Sequence, residues 1–186
     1  MMRLHVFVIC TIVLAGALAH ASEAQRYIDR SGKASFFSSA PMEDIEAHTE
    51  QVITLLDVKS GEIVSNVLMR SFRFRKALMQ EHFNENYVES HKFPKATFKG
   101  KVNNLSSVDL TRDGTHMLDV TGELTIHGVT KPVRVQAEAV VKGGRIQAQA
   151  SFPLRVKDFD IAIPRLVVNN IAEVVDVKVS FDLKPM

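Results

Sequence analysis

From Leu118 to Val156 the chain alternates apolar and polar residues with few interruptions. Apolar side chains fall at Leu118, Val120, Leu124 and Ile126, then at Val133, Val135, Ala137, Ala139 and Val141. The rhythm resumes at Ile146, Ala148, Ala150, Phe152, Leu154 and Val156. A period of two is the mark of a strand with one dry face and one wet face, so three long strands are predicted here. The same pattern recurs at Ala96, Phe98, Gly100 and Val102, and most cleanly at Val175, Val177, Val179, Phe181 and Leu183. "QVITLLDVKSGEIVSNVLM" predicts a hairpin turning at Lys59-Ser60-Gly61, and Gln25 to Ser39 reads as strand, turn, strand around Arg30-Ser31-Gly32. The period changes once. In "RKALMQEHFNENYV", Leu78, Met79, His82, Phe83 and Tyr87 recur at three- and four-residue spacings, which predicts one amphipathic helix over Lys76–Tyr87.

About eight strands joined mostly by short turns must run antiparallel, since parallel neighbours need long crossovers. A long antiparallel sheet that is apolar on one face only rolls into a barrel or splits into a sandwich. Strand length favours rolling, so the expected fold is all-β: an antiparallel, lipocalin-like β-barrel with one helix. Gly143-Gly144 fits a two-residue hairpin turn. Counting outward from it sets Val141 against Ile146, Ala139 against Ala148, Ala137 against Ala150 and Val135 against Phe152. Four alanines then share one inner patch, with Gly100 and Gly122 as further small inward positions. Interiors pack to crystal-like density, so such a patch is either filled from elsewhere, by Phe98, Phe181 or the helix, or it walls a cavity.

"MMRLHVFVICTIVLAGALAHA" has one early positive charge, an apolar run and a small-x-small ending, which predicts a signal peptide over residues 1–21. Its run is short for a membrane span. The single cysteine, Cys10, lies inside it, far from the cleavage pattern. A single domain over 22–186 would then hold together without disulfides, in the periplasm or as a secreted protein, with no stable membrane span. Cleavage removes Arg3 from a net charge of +2, and no basic cluster remains to suggest nucleic acid. With no tryptophan and two tyrosines, stacking platforms for bases or sugars are equally poorly supplied.

Candidate chemistry is sparse. His48, His82, His91, His116 and His127 show none of the i, i+2 or i, i+4 pairs expected of a metal site. His82 reads as a half-buried packing residue. His127, beside Gly128, reads as a turn residue making local hydrogen bonds. There is no G-x-S-x-G elbow or cysteine nucleophile, and Glu43/Asp44 and Asp158/Asp160 read as loop acids. Neither an enzyme nor a metal protein is expected. Asp158 to Glu173 is too apolar for a free loop, with Phe159, Ile161, Ile163, Leu166, Val167, Val168 and Ile171. It should pack over one end of the barrel, as a plug or as a lid.

Three stretches resemble the YceI-like family of secreted bacterial proteins. "GELTIHGVTKPV" is similar to that family's central hairpin, and "KALMQEHFNENYVESHKFPKATFKGKV" to its helix and following strand. "FPLRVKDFDIAIPRLVVNNIAEVVDVKVSF" is similar to its closing segment. Many members carry a His-Ser pair after an acid of the first strand, where this chain has Asp29-Arg30-Ser31-Gly32. The resemblance covers roughly Arg26 to Leu183. It implies a barrel whose apolar lumen takes a hydrophobic ligand, an isoprenoid lipid or a quinone tail, with no other cofactor. The expected lining is the inward set: Phe98, Val120 and Leu124; Val135, Ala137 and Ala139; Ala148, Ala150 and Phe152; Val177, Val179 and Phe181. The rival expectation is a solid-core barrel acting through its outer face as a stress-related or protein-interaction module. A homodimer is compatible with either.

Overall fold

A computed structural model describes residues 26–167 and 169–186. The signal-peptide segment, residues 22–25, Val168 and the Leu166 side chain lie outside what is described. Long alternating runs form long strands: β1 (Arg26–Ser39), β2 (Asp44–Asp57), β3 (Glu62–Leu68), the two-residue β4 (Arg73–Phe74), β5 (Lys95–Val102), β6 (Gly114–Ile126), β7 (Val129–Lys142), β8 (Arg145–Arg155) and β9 (Val174–Pro185). Their spatial order is β1-β9-β8-β7-β6-β5-β3-β2, and β1 pairs again with β2, closing an eight-stranded antiparallel barrel. β4 lies outside the ring, pairing with Ala47 and His48 of β2. Closure leaves no strand of the ring with an edge free along its whole length, which suits a chain made almost entirely of strands.

Two expectations need correcting. Arg30-Ser31-Gly32 does not turn the chain. β1 runs through it with a bulge, marked by register shifts against β2 and β9. The buried Asp29 carboxylate holds the bulge by accepting hydrogen bonds from the Ser31 and Asp182 amides, at 2.9 and 2.7 Å. The helix is also shorter than its pattern. α1 covers Ala77–His82, and the chain then widens into a π-type turn over Phe83–Tyr87. Leu78, placed on the apolar side by its spacing, is 60% exposed. No described helix is long and apolar enough to cross a membrane.

The Gly143-Gly144 turn has both residues at positive φ, and the register beyond it pairs Val141 with Ile146, Ala139 with Ala148 and Ala137 with Ala150. There the ladder stops. Val135 and Phe152 do not pair, because β7 and β8 part toward the opposite end of the barrel.

The two ends differ. At the end holding the Gly143-Gly144 turn, Tyr27, Leu56, Val102, Leu118, Ala139, Val141, Ile146 and Leu183 form a packed cluster, capped by Leu105, Val108 and Leu110 from the β5–β6 connection. Ile146 and Ala139 are fully buried there. The other end holds the β1–β2 and β6–β7 turns, and over it lie α1 and the segment from Val156 to Glu173. Within it Val156–Phe159 and Arg165–Val167 form short turns, with Phe159 and Ile161 buried.

Candidate functional site

The second end is hollow. An apolar cavity of about 460 Å³ runs into the barrel from beneath α1 and the Val156–Glu173 segment. Phe98, Val120, Leu124, Val135, Ala137, Ala150, Phe152, Val177, Val179 and Phe181 all line it. Most of these are only half-buried although the sheet encloses them, because their inner faces meet space rather than neighbouring atoms. Ala139 and Ala148 are exceptions to the expected lining. They belong to the packed end, where Ala139 pairs with His116 and Ala148 with Phe181. Alternation reports which face a residue occupies, not its height along the barrel axis, and at their height larger neighbours fill the interior.

The question raised by the small residues therefore has two answers in one barrel. Gly100 and Gly122 pair across β5 and β6, and the Phe98 ring lies over them. A methyl group on either glycine would come within 2.7 Å of a Phe98 ring carbon. Ala137 and Ala150, one inward position along β7 and β8 from Ala139 and Ala148 toward the hollow end, face the cavity instead.

Of the rings that wall the upper cavity, the sequence singled out only Phe83, on the apolar side of the helix. Phe36 of β1, Phe72, Phe74 of β4 and Phe83 form one cluster, with centroids 5.0–5.8 Å apart, and all four line the lumen. Spacings of 5–6 Å are favourable for offset and edge-on rings. Around the mouth stand Ile45, Met79, His82, Tyr87, Ile163, Val167 and Ile171, with Glu43 beside them. His82 is thus an exposed mouth residue rather than a packed one. Glu43 is paired with Lys76 at 2.5 Å, tying the β1–β2 turn to the start of α1. Burial pushes the Tyr87 phenol above its ordinary pKa, which keeps it neutral.

Ser38, Ser65, Asn66 and Thr97 in the wall have hydrogen-bond partners within the protein. Ser65 shares a 2.8 Å hydrogen bond with Thr54, and Ser38 accepts one from the Ala172 amide at 2.9 Å. What remains facing the lumen is mainly hydrocarbon. Among the described residues, no three His, Cys, Asp or Glu side chains converge to hold a metal ion.

His127 holds the rim together. It and Gly128 form the β6–β7 turn with φ of 51° and 76°, the geometry of a tight hairpin. Its hydrogen bonds are not local. Nδ1 lies 3.1 Å from the Phe159 carbonyl and Nε2 3.1 Å from Glu89 Oε2, while the ring meets Phe93 edge-on at 4.6 Å. Glu89 and Asp160, beside these contacts, are the other described non-glycine residues at positive φ. One side chain thus ties the turn to the chain after α1 and to the Val156–Phe159 turn, next to where β7 and β8 part.

Replacing His127 with asparagine, which tolerates left-handed backbone, isolates the side-chain contacts. The expected loss is about 1–3 kcal/mol, seen in chemical denaturation, with faster amide exchange around Glu89–Phe93 and Val156–Ile161. Unchanged exchange in both segments would contradict this role. Glu89 is held below the ordinary carboxylate pKa, chiefly by Lys92 and then by His127. Its stabilisation is complete above that ordinary value and is lost as pH falls through the lowered one. The variant should therefore lose less stability on acidification than the wild type.

Fold and cavity together define a closed antiparallel β-barrel with an apolar lumen. The YceI-like domain matches residues 28–183, and the chain belongs to that family. It is 41% identical over 81 residues to a UPF0312 protein of Enterobacter sp. (strain 638), covering 40% of this chain and 38% of that one. It is 35% identical over 81 residues to protein YceI of Escherichia coli O157:H7, with the same coverage. These matches span about two fifths of the curated relatives' length. In three dimensions the barrel is similar to a polyisoprenoid-binding domain from Saccharophagus degradans implicated in plant cell wall breakdown, with TM-score 0.74 and 15% identity over 88% of this chain and 99% of that one. It is also similar to BcnA of Burkholderia cenocepacia, with TM-score 0.66 and 19% identity over 82% and 94% of the two chains. At such identities the likeness is one of fold.

Proposed function

We propose that this protein is an exported carrier, periplasmic or secreted, that shelters the tail of an isoprenoid-type lipid or quinone in its lumen and performs no catalysis. The observation that carries the reading is the apolar cavity, which enters from one end and stops at a packed floor. Its walls offer a flexible hydrocarbon chain non-directional contacts, and no ring of charges asks for a phosphate or a sugar inside. Burying a few hundred Å² at about 25 cal/mol per Å² gains several kcal/mol before association costs. The polyisoprenoid-binding description of a protein with this fold supports the same ligand class. A blind-ended lumen also fixes the polarity of binding. The tail goes in first, and the head group stays at the rim beside Met79, His82 and Glu43.

The direct test is native mass spectrometry of the protein purified from its own host, followed by extraction and identification of what it holds. A bound prenyl-tailed lipid is expected. A protein that emerges with its lumen empty, and that takes up no prenol or quinone when offered, would sink the proposal.

A further inference from the structure

The lumen ends where two kinds of packing meet. Five residues both line the cavity and pack on the cluster at the filled end: Ile63, Phe98, Val120, Ala137 and Phe181. Two of them supply rings, and each ring is seated on glycine. Phe98 lies over Gly100 and Gly122, and Phe181 over Gly32, where a methyl group would come within 2.8 Å of Phe181 Cδ1. Backbone lies directly behind these rings, so they cannot swing outward into the wall to admit a longer guest. At the level of Phe181 the neighbouring strands carry small groups, Ala148 paired to Phe181 and Ala139 paired in turn to Ala148, and beyond them lies the packed cluster of the filled end. The barrel itself continues past this level. The rings, rather than the strands, terminate the space.

Resting on the lipid-carrier reading above, we infer that Phe98 and Phe181 are chain-length-determining residues: they form the floor against which the tail ends, and so set the longest isoprenoid chain the protein accepts. A tail that reaches the floor before its head group meets the rim must leave part of its length in water. An isoprene unit left outside forfeits the burial of several methylene equivalents, enough for at least about a tenfold loss of affinity per unit. The three glycines are then positioning residues, since their lack of a Cβ is what lets the rings lie flat against the wall.

Delipidated wild-type protein, Phe181→Ala and Ala137→Phe are each offered an equimolar series of all-trans prenols of increasing length, and native mass spectrometry reads which are retained. The wild type should show an upper length limit. Phe181→Ala should move that limit to longer prenols by opening the floor toward Ala148. Ala137→Phe, which adds a ring at floor level, should move it to shorter ones. General loosening of the barrel cannot shift the limit in opposite directions. Should Phe181→Ala fail to fold, Ala137→Phe decides alone. Folded variants with the wild-type limit, or with limits moved the same way, overturn the inference while leaving the carrier reading standing. A wild-type protein that retains no prenol of any length overturns both.

Discussion

Replacing Leu183 with alanine is expected to lower unfolding stability by about 2–5 kcal/mol, the range for removing a large aliphatic side chain from a site that cannot collapse. Leu183 is 1% exposed. It pairs with Ile146 across β8 and β9, inside the cluster that also holds Tyr27, Leu56, Val102 and Val141. At about 2–4 °C per kcal/mol for a chain of this size, the melting temperature should fall by about 4–20 °C. The informative control lies on the same strand and the same face. Val177 looks into the lumen and is only half-buried, so truncating it removes methyl groups that already lack neighbours on one side. Val177→Ala in the empty protein should cost about half as much or less. Equal losses at the two positions would mean that the interior is uniformly filled.

That asymmetry within β9 also shows where sequence reading stops. Val175, Val177, Val179, Phe181 and Leu183 form one unbroken period-two pattern, and all five do face inward. Nothing local distinguishes Val177, over a cavity, from Leu183, in a solid core. The difference comes from what other strands place at the same height: Phe36 and Phe152 surround the hollow level, and Tyr27 and Ile146 the filled one. Ala139 and Ala148 fell outside the lumen for the same reason. Their pairing was legible from the Gly143-Gly144 turn, because two-residue turns fix register. Their depth was not.

The upper wall was harder to read for a different reason. Phe72 and Phe74 sit in "RSFRFRK", where arginines on both sides mask a strand of two residues, while Phe83 joins them from the far end of α1 and Phe36 from distant β1. A cluster assembled from three separate segments leaves no periodic trace. His127 is the converse case. Its turn was evident from the neighbouring glycine, but its partners lie 32 and 38 residues away. The parting of β7 and β8 had no local signal either, because both strands keep alternating past the point where their ladder ends.

Stripping the occupied protein of its lipid should produce the other large effect, and it should be uneven. A ligand that binds only the folded state stabilises it by about 4 kcal/mol when present at a thousandfold excess over its dissociation constant. Delipidation is therefore expected to lower the melting temperature by about 8–16 °C, and adding back a retained prenol should restore it. The loss should appear first where the walls depend on the guest for neighbours. Amide exchange should accelerate in α1, in the turn after it and in Val156–Ile171, whose side chains Met79, Phe83, Ile161 and Ile171 border the cavity. At the filled end, Tyr27, Val141, Ile146 and Leu183 already have their contacts within the protein, so their strands should keep exchanging as before until the whole barrel opens. Identical melting of stripped and loaded protein would show that the lumen gains nothing from being filled, and the hollow half would then need a purpose other than carriage.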